Sequence, residues 1–316
     1  MKAFTRNKYG GPEVLRLTEV EKPKPKDDQL LIRVKANSVN PADWHIIRGT
    51  PKVARMAFGL FKPKKRIPGS DFSGVVEETG KNVTRFKTGD KVFGEYVVGG
   101  GALAEYVCVP QTVCGQVPDE ADLTAMACLP VAGVTALQAL TTHGMVKEGE
   151  KVLINGSSGG VGHFTVQIAK NLGVDVTAVC SARNLDFVKK LGADQVIAYD
   201  QEDIHQHQGS YDLVIDNHGN LTHKDFVRMG KRAVIVGFIS LGHMAEVNLK
   251  NLGKRFPIAQ FTAQMNTDDL NTLTKMMKEG KLNVHIEKTF PYQQTPDAIA
   301  YIEDMRTRGK VAVVWE

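Results

Sequence analysis

The run Gly156-Ser157-Ser158-Gly159-Gly160-Val161-Gly162 is the segment of this chain best suited to hold a pyrophosphate. Glycines at 156, 159 and 162 let the backbone turn tightly, approach a diphosphate closely and pack the next segment against a sheet. Val152-Leu153-Ile154 reads as a short apolar strand before the turn. His163 to Asn171 has helical spacing after it, with Phe164, Ile168 and Leu172 on one side. The start of that helix offers unpaired N–H groups and a positive dipole end to an anion. Gly173 stops the helix, and Val174 to Cys180 is a second β-branched run. A glycine-rich turn is weak on its own; set between a strand and a helix, it meets the context that dinucleotide binding requires.

The end of the second strand bears on which dinucleotide binds. About twenty residues past such a turn, an NAD site places an acidic side chain on the ribose 2′-hydroxyl. Here Cys180-Ser181-Ala182-Arg183-Asn184 stands instead, and Asp175 opens the strand at its other end. The Ser181 hydroxyl and Arg183 guanidinium suit a 2′-phosphate, because arginine forms paired charge-assisted bonds to phosphate oxygens. The expected cofactor is NADPH. The competing reading makes Arg183 a solvated helix-start residue.

The elements that must carry these residues follow from patterning. From Asp119 onward, strands at 152–155, 175–180, 195–199, 212–216 and 232–237 alternate with helical stretches, which predicts a doubly wound parallel sheet. Asp119 to Asp122 is an acidic helix start, Ala125 to Leu140 is helical after Pro130, and Asp268 to Glu279 is a late helix. Residues 1–118 are β-rich, with strands at Leu30–Ala36, Phe72–Glu77 and Lys91–Val98 and many prolines that bar long helices. Ile286–Phe290 and Val311–Val314 return to strand chemistry, so the expected domains are 1–118 completed by 285–316, and 119–284. Val53 to Phe61 is apolar and interrupted by glycine, which suits a substrate lid or a core helix.

Composition sets bounds. The 316 residues carry a net charge of +5, too mild to call for nucleic acid. Part of the excess lies in Lys62-Pro63-Lys64-Lys65-Arg66, which a phosphate-bearing cofactor or a solvated loop would each explain, the solvated loop being preferred to a polyanion site. Four cysteines, at 108, 114, 128 and 180, form no Cys-x-x-Cys pair and fit a reducing compartment. The first residues lack an apolar signal segment, and no stretch approaches the ~18 apolar residues of a membrane span. A cytoplasmic protein with no membrane partner is expected.

Several segments in fixed order carry a family resemblance. They are Met1-Lys2-Ala3 with Tyr9-Gly10-Gly11-Pro12-Glu13-Val14-Leu15, Ser38-Val39-Asn40-Pro41-Ala42-Asp43-Trp44, and Pro68-Gly69-Ser70-Asp71-Phe72-Ser73-Gly74. The glycine turn, Leu191-Gly192-Ala193-Asp194 and Gly309-Lys310-Val311 complete them. With these, the chain resembles the medium-chain dehydrogenase/reductase superfamily, in its zinc-independent quinone oxidoreductase branch. The resemblance implies an α/β protein: a GroES-like β-rich catalytic domain, a Rossmann doubly wound domain, and a cleft for cofactor and substrate. It also implies a homodimer through the Rossmann sheet edge. The superfamily's alcohol dehydrogenases bind zinc through Cys and His; Asn40 and Ser70 stand at two of those positions here, and both are poor zinc ligands.

The resemblance further implies site roles. Thr135 goes to the nicotinamide side, Gly156, Ser158, Gly159, Gly160, Val161 and Gly162 to the diphosphate, and Ser181, Arg183 and Tyr199 to the adenosine ribose phosphate. Gly237, Phe238 and Ile239 end a strand and flank the nicotinamide. Asn40 falls near the nicotinamide as a candidate hydrogen-bond donor, followed by Trp44 and His45. His45 protonating an enolate, a merely packed His45, and proton supply from solvent are three open readings. Reduction of a quinone or an α,β-unsaturated carbonyl needs little beyond orientation, a contribution of roughly 7–11 kcal/mol in the best cases, and donors at the developing oxyanion. Two alternatives stand beside this: an alcohol dehydrogenase-like carbonyl reductase, and a non-catalytic NADPH-binding or RNA-binding protein on the same fold.

Overall fold

The computed structural model describes residues 1–237, 241–253 and 256–315. The chain forms two compact units. One comprises Met1–Val131, Met265–Lys275 and Val284–Glu316, the other Ala132–Gln264 and Met276–Asn283.

The second unit is built on six parallel strands. Their order is Gln195–Ala198, Asp175–Cys180, Lys151–Asn155, Leu213–Asp216, Ala233–Ile235 and Ile258–Gln260. Numbered along this unit they run 3-2-1-4-5-6, the Rossmann order. Ligands of such sheets lie beyond the carboxyl ends, where the order reverses between the first and fourth strands. Helices Gly162–Asn171, Leu185–Lys190, His223–Met229 and Leu241–Lys250 connect the strands. Strands covered on both faces read as continuous apolar runs, and Val152, Leu153, Ile154, Leu213, Val214 and Ile215 are all fully buried. The register pairs Lys151 with Asp175 and Asn155 with Val179, so Asp175 lies at the amino ends, away from the glycine turn. The sixth strand, Ile258–Gln260, went unanticipated: it is three residues long, half-buried and directly follows Pro257.

The first unit carries a seven-stranded sheet ordered Ile286–Pro291, Lys310–Val314, Gln29–Val39, Asp71–Thr79, Lys91–Glu95 and Cys114–Gln116, with Tyr106–Pro110 also paired to Gln29–Val39. Ile286–Pro291 and Lys310–Val314 run parallel, and the other pairs are antiparallel. Phe72, Leu30, Ile32 and Val92 are fully buried in its core. The helix Leu123–Ala127 packs on the strands Gln29–Val39 and Asp71–Thr79 and is capped by Asp122, which accepts from the Thr124 and Ala125 amides. Composition changes at residue 119, but Met126 and Ala127 bury fully against this sheet, and the compact unit extends to Val131. The apolar segment at 53–61 is no core helix. It forms the short turns Lys52–Ala54 and Arg55–Phe58, and leaves Met56 and Phe61 74% and 90% exposed.

One buried amide locks the strand that leads to Asn40. The Asn37 Nδ2 group donates to the Asp71 carbonyl at 2.8 Å and the Ala102 carbonyl at 2.9 Å, while Oδ1 accepts from the Trp315 indole at 2.6 Å. Replacing Asn37 by alanine removes three buried hydrogen bonds and leaves the Trp315 indole N–H without its acceptor. Asn37→Ala is expected to lower the unfolding free energy by about 2–4 kcal/mol, read from denaturant midpoints.

Candidate active site

The glycine turn lies at the carboxyl end of Lys151–Asn155, at the reversal of strand order. Gly156 has φ +73°, a left-handed backbone that favours glycine. A Cβ at 162 would stand 2.1 Å from the Gly156 carbonyl oxygen, so glycine is required where the helix leaves the turn. A Cβ at 159 would meet only that same oxygen, at 3.5 Å. The space over Gly159 is therefore open to a diphosphate, with the amino end of Gly162–Asn171 beside it. Ser157 ties the turn to the sheet: its N–H and Oγ both donate to the Val179 carbonyl.

The predicted ribose-phosphate residues gather at one sheet end. Ser158 and Ser181 are linked by Asn184, whose Nδ2 donates to Ser158 Oγ at 3.0 Å and to Ser181 Oγ at 3.3 Å. Tyr199 donates its N–H to the Cys180 carbonyl and leaves its side chain 55% exposed, while Arg183 is exposed in the turn Ala182–Asn184 after the strand Asp175–Cys180. The Asp200 carboxylate accepts from the Ala182 N–H at 2.8 Å. Gly237 reaches the reversal point, where a Cβ on it would lie 2.9 Å from the Asn217 carbonyl oxygen. Thr135 is half-buried in the helix Pro130–Gln138. Phe238 and Ile239 lie outside the described residues.

Two residues that spacing did not single out belong to this cradle. Asn184 bridges the two serines. Asn217 follows the strand Leu213–Asp216, and both polar atoms of its side-chain amide are buried without a hydrogen-bond partner. Such orphans are rare in proteins. A donor and an acceptor held open beside Gly156 and Gly237 suit ligand hydroxyls, and the residues present fit a dinucleotide.

On the first unit, Asn40 is the residue before the helix Pro41–Arg48 and is 2% exposed. Its N–H donates to Asp43 Oδ2 at 2.8 Å, and its Nδ2 donates to Asp71 Oδ2 at 2.8 Å. Lys310 Nζ donates to Asn40 Oδ1, Ser70 Oγ donates to Asp43 Oδ1 at 2.9 Å, and Asp71 Oδ1 accepts from the Val131 N–H at 3.0 Å. Burial, then the Asp71 charge, pushes the Asp43 carboxyl up to about 7. Burial raises Asp71 as well, and lifts Glu95 to about 7. A dication held by Asn40 and Ser70 would meet the Lys310 ammonium already seated on Asn40, and Ser70 is committed to Asp43. These residues do not fit a zinc ion, and among the described residues no three His, Cys, Asp or Glu side chains converge on a common point.

Trp44 and His45 follow on the helix, with ring centroids 3.6 Å apart. His45 Nδ1 lies 3.1 Å from the Thr50 carbonyl oxygen, which assigns the proton to Nδ1 and leaves Nε2 as an acceptor. Burial also lowers the His45 pKa. In that form the ring takes up a proton rather than giving one. The Trp44 indole N–H is buried without a partner.

Two outcomes follow from this geometry. Gly159→Ala is expected to keep the wild-type thermal midpoint while weakening nicotinamide dinucleotide binding about tenfold or more; Gly162→Ala loses thermal stability first, and melting curves beside fluorescence titrations separate the two. The second outcome concerns pH. An aspartyl carboxyl titrates near ~3.9 in an unfolded chain, below the folded value of about 7 for Asp43. The fold therefore holds that proton more tightly, and its stabilisation is complete below the unfolded pKa and lost as pH rises through about 7. The thermal midpoint should fall from about pH 5 to about pH 8, and Asp43→Asn should flatten the fall, with Asp71 and Glu95, both also raised by burial, supplying the remainder.

Comparisons with known proteins agree with the fold. The alcohol dehydrogenase GroES-like domain matches residues 26–119, and the domain described as zinc-binding dehydrogenase matches residues 191–313. A chloroplastic quinone-oxidoreductase homolog of Spinacia oleracea is 34% identical over 319 residues, covering 96% of this chain and 95% of the relative. An NADPH-dependent alkenal/one oxidoreductase of Arabidopsis thaliana, also chloroplastic, is 31% identical, covering 99% and 79%. The quinone oxidoreductase structure from Coxiella burnetii superposes with a TM-score of 0.90 at 33% identity, covering 100% and 99%. With the Rossmann cradle and the metal-averse Asn40 cluster in view, the chain belongs to the medium-chain dehydrogenase/reductase superfamily, among its zinc-independent quinone oxidoreductases and enoyl reductases, and it is an oxidoreductase.

Proposed function

We propose that the enzyme uses NADPH to reduce a quinone or an α,β-unsaturated carbonyl without a metal. The observation that carries this reading is the Asn40 cluster, where the buried Lys310 ammonium donates to the Asn40 amide oxygen and the Asn40 Nδ2 group donates to Asp71. Alcohol oxidation usually calls on a Lewis acid, whereas a conjugated acceptor disperses the incoming charge and is served by donors alone. When bound, the reduced nicotinamide supplies the hydride.

In this reading the two domains are residues 1–118 with 285–316 for the acceptor, and 119–284 for the dinucleotide. The amides from Gly156 to Gly162 hold the diphosphate, with Thr135, Asn217, Gly237, Phe238 and Ile239 serving the nicotinamide half. Ser181, Arg183 and Tyr199 receive the 2′-phosphate and adenosine. The exposed Arg183 supports NADPH over NADH, as does the engagement of the nearby Asp200 carboxylate by the Ala182 amide. Asn40 donates to the acceptor oxygen, with Trp44 beside it. Solvent completes the protonation, because the Nδ1 proton of His45 is directed to Thr50.

The reading includes a homodimer formed at the sheet edge Ile258–Gln260 and a cytoplasmic location. All four cysteines are free, which supports a reducing compartment. Among the described residues no helix is long and apolar enough to cross a membrane.

Steady-state assays with a benzoquinone and a 2-alkenal, each with NADPH and with NADH, test the proposal. Turnover with NADPH is expected to exceed that with NADH in kcat/KM, and Arg183→Ala should raise the NADPH KM about tenfold while leaving NADH unaffected. A preference for NADH, or activity that requires added zinc, would overturn it.

A further inference from the structure

Lys310 is the first residue of the strand Lys310–Val314, yet its side chain enters the interior and the residue is 3% exposed. A buried ammonium is costly unless it is paired and hydrogen-bonded. Its Nζ donates to Asn40 Oδ1 at 2.5 Å and lies 3.6 Å from Asp71 Oδ2. Asp71 Oδ2 accepts from Asn40 Nδ2, so the Asn40 amide is gripped at both ends and its flip is fixed. A carbonyl oxygen that accepts from a cation draws electron density from its own N–H groups and strengthens them as donors, by ~10–30% per bond. One Nδ2 hydrogen is committed to Asp71. The other has only long contacts, 3.4 Å to the Ser38 carbonyl and 3.5 Å to Ser70 Oγ.

We infer that Lys310 is a positioning residue of the reaction: its ammonium orients and polarises the Asn40 amide, so that the second N–H is free to meet an oxygen of the acceptor. This inference rests on the donor role given to Asn40 above. It differs from a purely structural role in that the whole effect on rate must pass through one amide 270 residues away in the chain.

The test is a mutant cycle on the intact enzyme, measured as single-turnover hydride transfer from NADPH to a benzoquinone. Lys310→Met is expected to slow transfer about 10–100-fold with NADPH affinity unchanged. Lys310→Met also leaves Asp71 without its cation, so the same change is made in an Asp71→Asn background, which restores charge neutrality and the thermal midpoint; the slow transfer should persist there. In an Asn40→Ala background, Lys310→Met should cost nothing further. Additive losses with Asn40→Ala, or a rate that recovers together with the thermal midpoint in the Asp71→Asn background, would overturn the inference and leave the proposed reductase activity standing. A wild-type enzyme that transfers hydride to neither a benzoquinone nor a 2-alkenal would overturn both.

Discussion

Two carboxylates with no access to water, Asp43 and Asp71, share the interior of the first unit with a single ammonium, Lys310. Charges in such a setting survive only when every one is paired or hydrogen-bonded. Asp71 meets this demand with Asn40, Val131 and Lys310, whereas Asp43, held by Ser70 and the Asn40 amide, keeps its proton up to about pH 7. The consequence is rigidity: Asn40 cannot rotate without leaving a charge alone. A side chain whose amide is held in one orientation makes a preorganised donor, the property that electrostatic catalysis draws on. The same crowding makes the spot hostile to a metal ion.

The second unit solves a different problem. Its six parallel strands bury both faces, so their carboxyl ends are the free place for a ligand. The turn from Gly156 to Gly162 exploits this place in two ways. Gly162 is demanded by the protein's own backbone, whereas the space at Gly159 is left for something else. Asn217 reinforces that distinction, since neither polar atom of its buried amide is hydrogen-bonded by the protein itself.

Much of this was legible in residue order. The glycine turn, the serine and arginine after the second strand, and five of the six parallel strands have local signatures: apolar runs, helical spacing and stop glycines. The strand Ile258–Gln260 has none, because three half-buried residues carry no period. The core-helix alternative for 53–61 also failed, since apolar content without regular spacing does not fix which side is buried, and Met56 and Phe61 face outward. Asn184 and Asn217 carry no such signature, because an asparagine in a loop has many ordinary uses.

What the sequence supplied by itself was residue type: a glycine-rich turn set between a strand and a helix, a serine and an arginine directly after the second strand, and an asparagine and a serine at positions 40 and 70. Those are statements about residue type and short spacing, which the chain writes locally. The tertiary structure decided what each group is free to do. It brought Lys310 to Asn40 and Trp315 to Asn37, and it turned the His45 proton toward Thr50. Hydrogen-bond partners are assigned by distance in space, and contacts between residues more than two hundred positions apart leave no periodic trace in the order of amino acids.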